Sequence, residues 1–254
     1  GGFNYFQQVR DGGDVDGDGF NDLVIAETAG GGMAVHFGPL DGPGGRSRML
    51  SDADAYWPAY MQAEYWDVVI SGHDLDGDGR ADVLAQNDTM SAWDHLASDI
   101  AYELYFGGEW TTRCSVASDA DGGFSEAGRA ALIGDGDGDG LPDFGMNVNG
   151  STFFVGGADA RLLCGTYAEE VAVSRFDYPT TVYTGGIHTT VGDWDGDGVS
   201  EWVMINLRAD PGEDAVFIMS AATPFTGSIG PEDALGSYVL PDNGMTTFRY
   251  VQSL

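Results

Sequence analysis

Asp14-Val15-Asp16-Gly17-Asp18-Gly19-Phe20-Asn21-Asp22 decides how this chain is read, because the same nine-residue pattern returns three more times. The copies are Asp74-Leu75-Asp76-Gly77-Asp78-Gly79-Arg80-Ala81-Asp82, Asp135-Gly136-Asp137-Gly138-Asp139-Gly140-Leu141-Pro142-Asp143 and Asp193-Trp194-Asp195-Gly196-Asp197-Gly198-Val199-Ser200-Glu201. Their first residues stand 60, 61 and 58 positions apart. Four matches at nearly constant spacing identify an internal repeat, the sequence signature of an array of similar units.

Alternate residues of a tightly curled loop face one centre, and a carboxylate at each of them makes a hard, oxygen-lined site. Calcium takes six to eight such oxygens from carboxylates, carbonyls and water, whereas magnesium prefers a tight octahedron with retained waters. The pattern therefore predicts four calcium ions. The expected ligands are the side chains of Asp14, Asp16, Asp18 and Asp22 with the Phe20 carbonyl. The second set is Asp74, Asp76, Asp78 and Asp82 with Arg80, and the third is Asp135, Asp137, Asp139 and Asp143 with Leu141. The fourth is Asp193, Asp195, Asp197 and Glu201 with Val199, where Glu201 is one methylene longer than its counterparts. Without a cation, four carboxylates at such close quarters repel one another.

The flanks repeat as well. Each loop runs into a short apolar segment: Leu23 to Ile25, Val83 to Ala85, Phe144 to Met146 and Trp202 to Met204. A second apolar segment comes next at Met33 to Phe37, Tyr102 to Phe106, Phe153 to Val155 and Val216 to Met219. Another precedes each loop, at Tyr5 to Val9, Trp66 to Ile70, Ala130 to Ile133 and His188 to Val191. Short apolar runs bounded by glycine turns read as strands. With an outer segment such as Ser47 to Leu50, each unit offers four strands, the content of one propeller blade. The fold class expected is all-β, a β-propeller of four-stranded antiparallel blades.

The order strand, acidic loop, apolar strand, small-residue turn and strand ending in Phe-Gly, as in Phe37-Gly38 and Phe106-Gly107, resembles the FG-GAP or VCBS repeat. That family builds integrin α-like propellers and many bacterial surface proteins, and the resemblance spans essentially the whole chain. It departs at Ala26-Glu27-Thr28, where the family often has Gly-Ala-Pro, and at Phe217 to Ser220, which lacks the glycine pair. Repeats are expected over approximately 1–55, 56–121, 122–179 and 180–244 of a single propeller domain or part of one. Residues 245–254 look like the first strand of a fifth unit, which suggests, in this order, blades completed by further polypeptide, blades completed by another subunit, or an unusual four-bladed closure in which this strand is redundant.

The formal net charge is -31, from 41 acidic residues against 10 basic ones, and 16 of the carboxylates lie in the loops. A chain without a basic stripe is a poor partner for nucleic acid. It has no charged leader followed by an apolar core at its start and no apolar run of ~18 residues, so it reads as a mature, soluble segment without membrane insertion. Weak calcium sites fill at extracellular calcium, which favours an extracellular or cell-surface setting. Cys114 and Cys164 follow similar segments of successive repeats, and sequence leaves a disulfide and two free thiols equally open.

No nucleophile, phosphate-binding or dinucleotide motif is present, and the four histidines form no ligand pattern, His73 reading as a neighbour of the second loop. The function expected is a non-enzymatic adhesion, binding, surface or filament module. Its partners would be a protein or glycan ligand or further copies of itself. The alternative is a carbohydrate-active protein, a lectin or a polysaccharide lyase-like enzyme, with Trp57, Trp66, Trp93 and Trp110 available to stack on sugars. The related segments Ser51 to Asp54 and Ser118 to Asp121 read as polar turns.

Overall fold

The structure, a computed structural model, describes residues 7–27, 32–39, 53–57, 64–89, 100–109, 114–116, 130–148, 151–164, 166–177, 185–197, 201–206, 215–220 and 227–239. These residues form four separate sheets. The first takes β1 (Gln7–Gly13), β2 (Asp22–Glu27), β3 (Gly32–His36) and β4 (Ala55–Trp57) in chain order. The second repeats that meander with β5 (Glu64–His73), β6 (Asp82–Thr89), β7 (Ile100–Tyr105) and β8 (Cys114–Val116).

In the third sheet β9 (Ala131–Gly134), β10 (Asp143–Val148), β11 (Ser151–Val155) and β12 (Ser174–Asp177) are antiparallel neighbours. A 3-10 helix, Gly157–Leu163, and the single turn α1 (Ala168–Val171) interrupt the chain between β11 and β12. The fourth sheet orders β13 (Gly185–Gly192), β14 (Glu201–Asn206), β15 (Ala215–Met219) and β17 (Gly236–Val239). The strand between the last two, β16 (Gly227–Ile229), leaves its own repeat and pairs parallel to β12. Periodicity cannot announce that exchange, because which sheet edge a short strand joins depends on which edge is open beside it.

The three inner strands of every repeat thus fall where the apolar runs place them. The outer strand of the first sheet is Ala55–Trp57, and Ser47 to Leu50 lies outside the described residues, as does the segment 246–254. Each acidic nonapeptide connects the first strand of its sheet to the second. The strand ladder is irregular at its mouth, with register shifts at Asp11/Gly13, Ser71/His73, Asp143/Phe144 and Thr190/Gly192. Such bulges bend a strand and re-aim the loop that leaves it.

Two compact units hold these sheets. Gly1–Ala117 with Leu163–Gly165 contains the first and second, and Ser118–Leu162 with Thr166–Leu254 the third and fourth. The core of the first unit joins Val15, Val24, Ala26, Met33 and Val35 to Val68, Ala81, Val83, Ala85 and Tyr105. The core of the second joins Ile133, Phe154 and Phe176 to Trp202, Met204, Phe217, Met219 and Ile229. Phe154 and Trp202 meet at 4.7 Å between ring centroids, a tilted arrangement that suits their quadrupoles. Cys164 is disulfide-bonded; the sequence holds one other cysteine, Cys114.

Candidate metal centres

Every loop is curled by its own carboxylates. Asp14 accepts hydrogen bonds from the N–H groups of Gly17 and Gly19, both at 2.8 Å, Asp16 accepts from Asp18 at 3.0 Å, and Asp18 accepts from Phe20 at 2.9 Å. The second loop repeats this, with Asp74 accepting from Gly77 (2.7 Å) and Gly79 (2.8 Å), Asp76 from Asp78 (3.0 Å) and Asp78 from Arg80 (2.9 Å). In the third, Asp135 accepts from Gly138 and Gly140, Asp137 from Asp139 and Asp139 from Leu141. Asp193 and Asp195 accept from Gly196 and Asp197 in the fourth. Gly17 and Gly19, at φ 83° and 90°, supply the left-handed turns that a residue with Cβ resists. Val199 lies outside the described residues.

Three carboxylate oxygens converge in each loop to within 4.8 Å of one another, from Asp14, Asp16 and Asp22, from Asp74, Asp76 and Asp78, from Asp135, Asp137 and Asp143, and from Asp193, Asp195 and Asp197. Oxygens sharing one calcium at ~2.4 Å lie no more than ~4.8 Å apart, so these clusters have the dimensions of a metal site. The third member differs between loops, being the ninth residue in the first and third and the fifth in the others. His73 belongs to none of these clusters and stands opposite Asp82 in the β5–β6 register.

The ninth residue has a second role that its spacing alone does not reveal. Asp22 is buried, and one of its oxygens accepts from Val15 at 2.8 Å while the other accepts from Gly38 at 2.6 Å. Asp82 likewise holds Leu75 (2.7 Å) and Gly107 (2.8 Å), and Asp143 holds Gly136 (2.7 Å) and Gly157 (3.0 Å). One carboxylate therefore ties the second residue of its loop to the chain just after the third strand of the sheet. Charge-assisted bonds of this kind offset the cost of burying the group. They also explain the Phe-Gly signature. A Cβ on Gly38 would come within 2.5 Å of the Asn21 carbonyl oxygen, and one on Gly107 within 2.8 Å of that of Ala81, so only glycine brings its N–H close enough.

Glu201 breaks this pattern. Its Oε2 accepts from the Trp194 N–H, but its Oε1 is buried without a hydrogen-bond partner. A buried carboxylate oxygen left in that condition is costly unless a cation meets it. The donor set, its dimensions and this orphaned oxygen fit a hard divalent cation.

Asp82→Asn replaces one acceptor by a donor facing a backbone N–H, and the lost bond is expected to lower stability by about 1–3 kcal/mol. Urea unfolding of wild type and variant, both loaded with calcium, checks this; equal midpoints would contradict the tie. Burial raises Asp82 from an ordinary 3.8 to about 7, against the pull of its two backbone hydrogen bonds, with Asp76 and Asp74 adding to the rise. Asp143 is pushed up to about 6, and Asp22 moves the same way, both mainly by burial. Above 3.8 the unfolded chain releases these protons before the folded one does, so the groups favour folding most fully below 3.8. That contribution is lost as pH rises toward about 7. Chelator-treated protein is therefore expected to unfold at lower urea at about pH 8 than at about pH 5, and calcium, which stabilises the charged form, to reverse the trend.

Of the other polar sequence features, Asp54 accepts from the Phe37 N–H at 2.8 Å and donates its own N–H to the Val35 carbonyl at 2.9 Å, which makes it a strand-joining turn. Trp57 packs on Tyr105 with ring centroids 4.5 Å apart. Trp93, Trp110 and Ser118 to Asp121 lie outside the described residues, as does the side chain of Trp66.

The class these features define is an all-β repeat protein with acidic loops of metal-site dimensions. No family model and no curated protein matches the chain. Among solved structures, the V. cholerae biofilm matrix protein Bap1 is similar at 16% identity over 86% of this chain and 38% of that one, with a TM-score of 0.29. The chain thus spans well under half of that structure. No helix among the described residues is long and apolar enough to cross a membrane.

Proposed function

We propose that the four loops bind calcium as a structural ion and that the sheets are blades of a β-propeller of the FG-GAP or VCBS kind. The observation that carries the reading is the fourfold recurrence of a loop in which three carboxylate oxygens converge to within 4.8 Å and the buried ninth residue accepts the N–H of the loop's second residue. The ligands are Asp14, Asp16, Asp18, Asp22 and the Phe20 carbonyl, with the corresponding residues of the other loops. Glu201 offers its second oxygen directly to the fourth ion.

In this reading the protein is an extracellular binding, adhesion or structural module and not an enzyme. Calcium rigidifies the loop ends of the sheets, and its millimolar abundance outside cells would keep the sites filled. The disulfide on Cys164 belongs to the same oxidising setting. Equilibrium dialysis against millimolar calcium, with metal analysis afterwards, is expected to find four ions per chain and three in Asp16→Ala. Protein that retains no calcium after such dialysis would overturn the proposal.

A further inference from the structure

The first and second loops are joined through their backbones. Ala81, the eighth residue of the second loop, donates its N–H to the Asp14 carbonyl at 2.9 Å, and Gly108 donates to the Val15 carbonyl at 2.8 Å. Both acceptors open the first loop. Both donors stand beside the second loop's buried ninth residue or a group that it holds: Ala81 precedes Asp82, and Gly108 follows Gly107, whose N–H Asp82 accepts at 2.8 Å. Val15 in turn donates its own N–H to Asp22 at 2.8 Å. A continuous path of hydrogen bonds and peptide units thus runs from Asp82 through Gly107, Gly108 and Val15 to Asp22, the ninth residue of the first loop.

The path is packed as well as bonded. Val15 and Ala81 are both buried in the core of the first unit. Arg80 adds its side chain: a Cβ on Gly17 would come within 2.9 Å of Arg80 Nε, and one on Gly108 would collide with Arg80 Nη1. An arginine of the second loop therefore lies across a glycine of the first. At the position of Gly17 in the third and fourth loops, a Cβ on Gly138 or Gly196 would meet nothing within 4 Å. The seventh residue of the other loops is Phe20, Leu141 or Val199, so the second loop alone carries a cation there.

We propose that the first and second calcium sites fill as a coupled pair, an ion in one raising the affinity of the other, with Ala81, Gly108 and Arg80 as the positioning residues that transmit the effect. The inference rests on the calcium reading of the loops. An ion in the second loop draws on the Arg80 carbonyl and on Asp82, the two residues that flank Ala81. It thereby holds the donors that fix Asp14 and Val15 in place for the first ion. Coupling carried by one contiguous network acts equally in both directions, because linkage between binding equilibria is reciprocal.

Protein carrying isotope-labelled glycine reports each loop by its own amide resonance, Gly17 for the first and Gly77 for the second, as calcium is added to chelator-treated samples. Asp76→Ala, which removes a carboxylate from the second loop, is expected to raise the calcium midpoint at Gly17 about tenfold, within the usual range of coupling between sites. Asp16→Ala should raise the midpoint at Gly77 by the same factor. Ala81→Pro deletes the donor to Asp14 without touching a carboxylate, and the third loop carries a proline, Pro142, at that very position. In that variant both sites should fill at weakened midpoints, and adding Asp76→Ala should leave the Gly17 midpoint where Ala81→Pro has put it. A Gly17 midpoint that Asp76→Ala leaves unchanged overturns the coupling, whether or not Ala81→Pro folds, as does coupling that persists undiminished in Ala81→Pro. Gly17 and Gly77 that respond to calcium independently sink the coupling alone, whereas resonances that do not respond at all sink the calcium reading with it.

Discussion

Chelation of calcium is expected to lower the melting temperature of this protein by about 20–40 °C, taking about 2–4 °C per kcal/mol for a chain of this size. A ligand that binds only the folded loop stabilises it by about 2.7 kcal/mol at a hundredfold excess over Kd. Four such sites sum to roughly 11 kcal/mol, which is comparable to the whole stability of an ordinary domain. The chelated chain keeps its loop hydrogen bonds, yet it crowds three converging carboxylates into each loop with nothing to neutralise them. Thermal unfolding monitored by circular dichroism, in excess chelator and then in millimolar calcium, measures the difference. Coincident melting curves would show that the loops are acidic turns without an ion.

The second large effect lies in the disulfide. Cys114 and Cys164 are 50 positions apart in the chain, and a bridge between them restricts the unfolded ensemble by about 4 kcal/mol in the chain-entropy account. Cys164→Ser is therefore expected to lower the melting temperature of the calcium-loaded protein by about 8–16 °C. In chelator, where little stability remains, the same variant should be largely unfolded at room temperature. Thiol titration of denatured, unreduced protein should find no free thiol. Two titratable thiols per chain would remove the basis for this expectation.

Much of the candidate site was legible in the sequence because an acidic loop is a local object. Asp14, Asp16 and Asp18 are brought together by the turn they themselves occupy, and Gly17 and Gly19 mark that turn as surely as the carboxylates do. The inner strands were legible for the same reason, since Leu23 to Ile25 and Met33 to Phe37 carry their own boundaries in glycines and charges. The second duty of Asp22, Asp82 and Asp143 was not. The glycine that each of them binds is 16, 25 and 14 residues away, and it arrives only because the second and third strands pair in one register. The Phe-Gly pair was the signal, and its meaning appears only when the space beside Gly107 is measured.

By itself, then, the sequence determined the repeat, the acidic loops and the all-β class, each of which rests on residues close to one another in the chain. The tertiary structure alone decided that β16 pairs with β12, that Cys164 is bridged and that Glu201 keeps an oxygen without a partner. These outcomes turn on which surfaces pack against each other. Burial and hydrogen-bond satisfaction are properties of surroundings assembled from distant parts of the chain, and a local pattern carries no record of them.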